Sequence, residues 1–125
     1  MIERWRCFVA VPLPEDLRLD LTNDVTAWRA EPDAPDLRWT DPAGWHLTLA
    51  FLGWIDAELS EDVLARLVAP AKNARQADLT AGGLGAFPSP RRARVLWYGI
   101  ADERSTAGIL AAGVRRALAP IAPRV

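Results

Sequence analysis

A histidine and a threonine stand two positions apart, at His46 and Thr48, inside the apolar run from Trp45 to Leu52. The run is typical of a β-strand, on which side chains alternate between two faces. His46 and Thr48 therefore share one face, on which Ala50 leaves space. An imidazole can move a proton near neutral pH, and a hydroxyl can hydrogen-bond a non-bridging phosphate oxygen. This spacing is suited to phosphoester chemistry, and it fits a hydrogen-bonded structural histidine as well.

Other reactive groups are few. The sequence has one cysteine, Cys7, and one histidine, which excludes a disulfide framework, a cysteine-based zinc site and any site that needs two histidines from one chain. A thiolate pair of Cys7 with His46 stays open, although a cysteine in an apolar strand is usually inert. No Gly-x-Ser-x-Gly elbow supports a serine triad. The segment Gly82–Gly85 is not a phosphate-binding pattern and indicates a bulge or a tight bend.

The composition is that of a soluble globular protein forming one domain over residues 1–125. Hydrophobic residues make up 50% of the chain, charged residues 25%, and the formal net charge is -1. No strong global field attracts nucleic acid or an anionic membrane, so any RNA contact must come from a local patch. Arg91, Arg92 and Arg94 form such a patch, or else a solvated loop.

No signal peptide precedes the first apolar run, and no run approaches the ~20 residues that span a bilayer, which predicts a cytoplasmic protein.

Hydrophobic periodicity and turn residues predict the order β-α-β-β-α-β-β-α. The predicted strands cover residues 6–12, 37–40, 45–52, 78–87 and 94–100, and the predicted helices cover 14–29, 59–72 and a segment from Asp102 to Pro120. The strand at 45–52 is apolar on both faces. We therefore expect it to be central and covered on both sides, with Trp45, Leu47 and Phe51 buried behind the histidine. The fold class predicted is α+β, with a mostly antiparallel sheet and flanking helices.

Four strings, spread over nearly the whole chain, resemble the 2H phosphoesterase superfamily. They are Arg6 to Pro14, Trp45 to Gly53 (which contains HLTLAFLG), Phe87-Pro88, and Arg94 to Trp97. The most similar branch is the RNA 2′,3′-cyclic phosphodiesterases, also called 2′-5′ RNA ligases. The resemblance implies a two-lobed fold in which two His-x-Thr-x motifs face each other across a cleft. It also implies a reaction without metal or nucleotide cofactor that opens the 2′,3′-cyclic phosphate of RNA ends or nucleosides to a 2′-phosphate.

On this resemblance His46 is the general acid that protonates the leaving oxygen, and Thr48 binds the phosphate. The second motif of the family is expected after the third helix, where residues 117–125 contain no histidine. The resemblance therefore implies a domain whose second lobe is incomplete and whose activity is impaired. A homodimer that opposes two His46 side chains would restore the pair, since two-fold dimers are the commonest assemblies.

Four further residues are candidates for binding the substrate. Phe8 and Trp97 are aromatic side chains that could stack on a base, and Arg91 and Arg92 could contact the RNA backbone. Two alternatives remain open at this point. The chain could be a nucleotide or RNA-end binding module without catalysis, or a fragment with no function of its own.

Overall fold

The computed structural model describes residues 2–33, 38–92 and 95–125. Its strands and helices are β1 (Arg4–Pro12), α1 (Glu15–Arg29), β2 (His46–Asp56), α2 (Ser60–Asn73), β3 (Thr80–Phe87), β4 (Val95–Ala101) and α3 (Thr106–Leu118). The α+β class and the antiparallel pairing are confirmed. The strand predicted at 37–40 is wrong for residues 38–40, which form no strand, and Leu37 lies outside the described residues.

The four strands form two antiparallel two-stranded sheets. The first sheet pairs β1 with β2, and the second sheet pairs β3 with β4. The prediction that β2 is a central strand covered on both faces is wrong, because among the described residues it pairs with β1 alone. One face of the first sheet packs on the helices and is called the core face. The opposite face is called the open face and carries Phe8, His46, Thr48 and Phe51.

The first of two bulges in β2 explains why Phe51 lies on the open face. The register pairs Ala10 with Thr48 but Val9 with Ala50, so Leu49 is an extra residue in β2. A bulge of one residue reverses the alternation of the side chains that follow it. Ala50 is therefore buried, whereas Phe51 is 71% exposed, and the predicted burial of Phe51 is wrong.

The second bulge, at Leu52, is followed by Gly53 with φ +69°. A residue with a Cβ adopts this left-handed backbone only at a cost, so glycine suits the position. The bulge lets β2 continue to Asp56 along Arg4–Cys7 of β1. The connection predicted for residues 53–58 is therefore wrong over its first four positions.

The core lies between the core face of the first sheet and helices α2 and α3. Leu118, at the end of α3, is fully buried, and Val114 is nearly so. The buried residues that pack with them are Leu49, Ala50, Leu52, Ile55, Val63 and Ala122.

Asp102 was predicted to cap α3, and its carboxylate accepts hydrogen bonds from the backbone N–H groups of Ala107 and Gly108 in the first turn. No helix within the described ranges has both the length and the apolar character that a membrane crossing requires.

Helix α1 is attached to the second sheet through Tyr98 of β4. The Tyr98 hydroxyl donates a hydrogen bond of 2.9 Å to Asp24, and the Tyr98 ring stacks on Trp28 with 5.7 Å between centroids. Burial, this hydrogen bond and the negative charge of Asp24 raise the pKa of Tyr98.

The glycines of β3 mark an irregular strand, as the sequence predicts. Gly82 and Gly83 fall where the register shifts between Ala81 and Leu84, and Gly83 has φ +75°. A Cβ at Gly85 would collide with the indole of Trp97, its partner on β4. The missing side chain thus lets the Trp97 ring lie across β3.

The buried end of α3 provides a test of the core. We expect Leu118→Ala to lower the free energy of unfolding by about 2–5 kcal/mol, because it removes a fully buried side chain and leaves a cavity. Leu64→Ala, in α2, is the matched control, because Leu64 is 67% exposed. It should cost less than about 1 kcal/mol. Urea denaturation measures both, and equal losses would contradict the placement of the core.

The contact between Asp24 and Tyr98 predicts an alkaline loss of stability. The pKa of Tyr98 is higher in the folded chain than its ordinary value of 10.0. The contribution of the neutral hydroxyl, about 1 kcal/mol, is therefore complete below pH ~10 and disappears as the pH rises through the folded pKa. We expect Asp24→Asn to reduce this loss in unfolding curves recorded from neutral to alkaline pH. Asp20→Asn, on the same helix, serves as control and should retain the wild-type pH dependence.

Candidate active site

A short turn immediately before β2 prepares the position of His46. Residues Pro42–Gly44 form one turn of 3-10 helix, and the Asp41 carboxylate accepts a hydrogen bond of 2.9 Å from the backbone N–H of Ala43. Proline at the first position of this turn presets its backbone angle. The turn, which the sequence predicts, leaves the Gly44 carbonyl next to the His46 side chain.

The Gly44 carbonyl determines which nitrogen of His46 carries a proton. Nδ1 of His46 lies 2.8 Å from the Gly44 oxygen. A carbonyl oxygen only accepts hydrogen bonds, so Nδ1 is the donor in this contact and carries a hydrogen. Nε2 is then the nitrogen that can exchange a proton with a bound molecule. A ring held in this way can act as a general acid or a general base at one defined atom.

The face of the imidazole rests on Phe8. The two rings are stacked, with 4.7 Å between centroids and 24° between planes. The Phe51 ring lies 6.3 Å from the Phe8 ring, and both side chains are exposed. His46 is thus fixed at one edge by a hydrogen bond and on one face by a ring, while the side chain remains exposed.

Thr48 lies on the same face as His46, because the register between them is regular. Its partner on β1 is Ala10. The Thr48 hydroxyl makes no hydrogen bond within the described part of the chain, so it is available to a bound anion. The space was predicted to come from Ala50, which instead lies in the core, 5% exposed, because of the bulge at Leu49.

A cavity of about 360 Å³ lies on the opposite side of β2. Leu47 and Leu49 line it, together with Val11, Leu110 and other mainly aliphatic side chains. His46 and Thr48 are not among its lining residues. His46 and Thr48 lie on the open face of the sheet, and their position in a cleft stays a prediction.

Cys7 does not pair with His46. It packs against the core and lies opposite Gly53, whereas His46 lies opposite Pro12 at the other end of the ladder. The described residues contain no cluster of three or more His, Cys, Asp or Glu side chains that could hold a metal ion.

The other predicted substrate residues lie on the second sheet. Trp97 is 40% exposed, and its ring is 5.7 Å from that of Phe87. Arg91 and Arg92 are exposed in the connection between β3 and β4, and Arg94 lies outside the described residues. The stacking contacts of His46 reach Phe8 and not Trp97, so the structure brings one of the four predicted binding residues to the histidine.

Two features of the site were missed at the sequence level. The Gly44 carbonyl could have been found from the Asp-Pro-x-Gly turn, which ends two residues before the histidine. Phe51 could not, because its face depends on a bulge that exists only in the pairing with β1.

The contact with Gly44 makes a prediction that needs no substrate. We expect neutral His46 to have its hydrogen on Nδ1, since that nitrogen donates to the carbonyl. Two-dimensional ¹H–¹⁵N spectra of the imidazole distinguish the tautomers, and His46 is the one histidine of the sequence. Phe8→Leu, which removes the stacking ring, should keep the tautomer and increase the mobility of the imidazole. A hydrogen found on Nε2 would contradict the geometry.

The chain resembles known proteins in sequence and in fold. An RNA 2′,3′-cyclic phosphodiesterase of Aquifex aeolicus (strain VF5) is 34% identical over 79 residues, which are 63% of this chain and 42% of the relative. A crystal structure from Thermus thermophilus superposes with a TM-score of 0.72 at 29% identity, covering 96% of this chain and 63% of that one. The crystal structure of Escherichia coli LigT complexed with NADP⁺ gives 0.65 at 30% identity, covering 94% and 65%.

The chain thus spans less than half of the Aquifex relative and somewhat less than two thirds of the two solved structures. The family model described as LigT like Phosphoesterase matches residues 11–97, well over half of the 125 residues. This match includes the turn at Asp41, His46 and Thr48, and the chain belongs to the LigT-like phosphoesterase family.

Proposed function

We propose that this chain supplies the general acid and a phosphate-binding hydroxyl of an RNA 2′,3′-cyclic phosphodiesterase. The observation that carries the proposal is the exposed His46 ring, whose Nδ1 is held by the Gly44 carbonyl and which shares a strand face with Thr48. Membership of a phosphoesterase family supports it, as does the name of the Aquifex relative.

The reaction is hydrolysis of a cyclic phosphodiester at the end of an RNA. A water oxygen bonds to phosphorus while the bond from phosphorus to O3′ breaks. The Nε2 of protonated His46 gives its proton to O3′, which leaves as a hydroxyl, and the phosphate remains on O2′. The Thr48 hydroxyl donates a hydrogen bond to a non-bridging oxygen, where negative charge increases in the transition state.

The water molecule must lose a proton, and His46 is the one histidine in the sequence. A carboxylate, solvent or the His46 of a second copy has to accept this proton. A positioned acid or base typically contributes ~10²–10⁴-fold in rate. The isolated monomer should therefore be slower than a phosphodiesterase with two histidines by about this factor.

Contacts support the proposed substrate residues to different degrees. Phe8 stacks on His46 and is 49% exposed, so its ring is available to a base next to the bound phosphate. Trp97 is exposed on β4, and Arg91 and Arg92 are exposed in the connection between β3 and β4; none of the three has a stacking contact or hydrogen bond with His46 in the described residues. The E. coli relative was crystallised with NADP⁺, a dinucleotide that carries a 2′-phosphate, which is the group left by the proposed reaction.

Turnover of a nucleoside 2′,3′-cyclic phosphate tests the assignment. We expect His46→Ala to lower kcat/KM by about 10²–10⁴-fold because the leaving oxygen loses its proton donor. Thr48→Ala should lower it by about 10–100-fold through the loss of a hydrogen bond to an anion. Thr26→Ala is the matched control, because the Thr26 hydroxyl bonds only the Thr22 carbonyl within α1.

Equal rates for the wild type and His46→Ala would remove the histidine from the mechanism. Turnover by a dilute monomer at the rate of a phosphodiesterase with two histidines would contradict the predicted impairment. A rate per chain that rises with protein concentration would identify the dimer as the active form.

The single histidine favours one other function, a nucleotide or RNA-end binding module without catalysis. The hydroxyl of Thr48 and the ring of Phe8 would serve binding equally well. Titration with adenosine 2′-phosphate, combined with the turnover assay, separates the two functions, because a binding module would bind this nucleotide without hydrolysing any cyclic phosphate.

A further inference from the structure

The open face of the first sheet continues well beyond Phe8 and Phe51. In the register of β1 and β2, Arg6 lies opposite Trp54, and Arg4 lies opposite Asp56. Residues directly opposite each other in an antiparallel ladder have side chains on the same face. Arg6 lies two positions from Phe8 on β1, and Arg4 lies two positions from Arg6. Both pairs therefore lie on the same face of the sheet as Phe8.

Burial confirms which face this is. Cys7 and Ile55, which alternate with Arg6 and Trp54, pack into the core. Trp54 is 66% exposed, and Arg6 is exposed as well. A row of aromatic side chains with one cation among them thus runs along the open face from His46 to Trp54.

The two arginines on this face differ in whether an acidic side chain neutralises them. Arg4 and Asp56 neutralise each other through an ion pair of 3.1 Å. Arg6 forms no ion pair with any residue that the structure describes, so it leaves a positive charge between Phe8 and the end of the sheet. On a chain with a formal net charge of -1, this local charge attracts an anion to the row rather than to the whole surface.

We propose that Arg6 and Trp54 bind the single-stranded RNA segment that precedes the terminal phosphate, with a base stacked on Trp54 and a backbone phosphate at Arg6. The inference rests on the proposed function, because His46 and Thr48 define where the RNA end lies. Arg6 lies six positions along β1 from Pro12, the partner of His46, a distance of about 20 Å. Bases stacked at ~3.4 Å per nucleotide would place several nucleotides along this distance.

The chemistry of the row distinguishes RNA from other occupants. Aromatic rings that alternate with an arginine, beside a phosphate-binding hydroxyl, are typical of surfaces that bind single strands by stacking and charge. The proposed substrate is therefore an oligonucleotide, whose affinity exceeds that of a mononucleotide.

Binding of a pentanucleotide with a 3′-phosphate tests the proposal, because this probe is not a substrate for hydrolysis. Fluorescence anisotropy measures its Kd, and competition by a nucleoside 3′-phosphate gives the Kd of the mononucleotide. We expect the wild type to bind the pentanucleotide at least tenfold more tightly. Trp54→Ala should weaken its binding about tenfold, the loss of one stacked base, and Trp54→Phe should restore most of it. Arg6→Gln should make binding less dependent on salt, because one phosphate contact is lost.

Trp5→Ala is the matched control. Trp5 neighbours Arg6 on β1, is 45% exposed and lies opposite Ile55, so its side chain belongs to the other face of the sheet. This variant should keep the wild-type affinity for the pentanucleotide.

Three results would overturn the proposal. The first is an equal affinity of the wild type for the pentanucleotide and the mononucleotide. The second is an equal loss of pentanucleotide affinity in Trp5→Ala and Trp54→Ala. The third is a dimer, detected by sedimentation, that Trp54→Ala dissociates while RNA binding is unchanged. The last result would identify the open face as an interface between two copies. Failure of the proposed function would appear as a lack of cyclic phosphate turnover, which this binding assay does not measure.

Discussion

The antiparallel pairing of β1 with β2 is the interaction on which the rest of the structure depends. Eleven residues of β2 are matched by nine of β1, and the two extra residues, Leu49 and Leu52, are accommodated as bulges. Because of these bulges, one strand supplies both the aliphatic side chains of the core and the exposed groups of the site. A regular strand of the same sequence would bury Phe51 and turn Ala50 outward.

The His46 ring at the candidate site is held by a backbone group and by a second ring. The carbonyl of Gly44 holds one edge of the imidazole, and Phe8 supports its face. Neither contact uses a charged partner, and both come from segments that adjoin the ladder. The same ladder holds the helices, since Leu118 and Val114 pack on the core face of the first sheet. Core packing and site geometry therefore share one element.

The sequence was sufficient for the local features and insufficient for those that depend on partners. The shared face of His46 and Thr48 follows from alternation over two residues, and the turn at Asp41 follows from its proline and glycine. The α+β class was predictable from the order of elements. The face of Phe51 and the extension of β2 to Asp56 were not, because a bulge arises when two distant strands differ in length. Trp97 was an equal candidate to Phe8 in the sequence, and only the separation into two sheets distinguishes them.

The hydrogen bond from His46 to a main-chain oxygen has a consequence for how the site tolerates sequence change. A carbonyl is present whatever side chain occupies its residue, and a Cβ built at Gly44 meets nothing within 4 Å. Drift at position 44 therefore leaves the orientation of the ring intact. The positions that carry the constraint are Asp41 and Pro42, which shape the turn and touch no substrate. Among descendants of this sequence, the orientation of the histidine would be inherited through the path of the chain rather than through the identity of its neighbour.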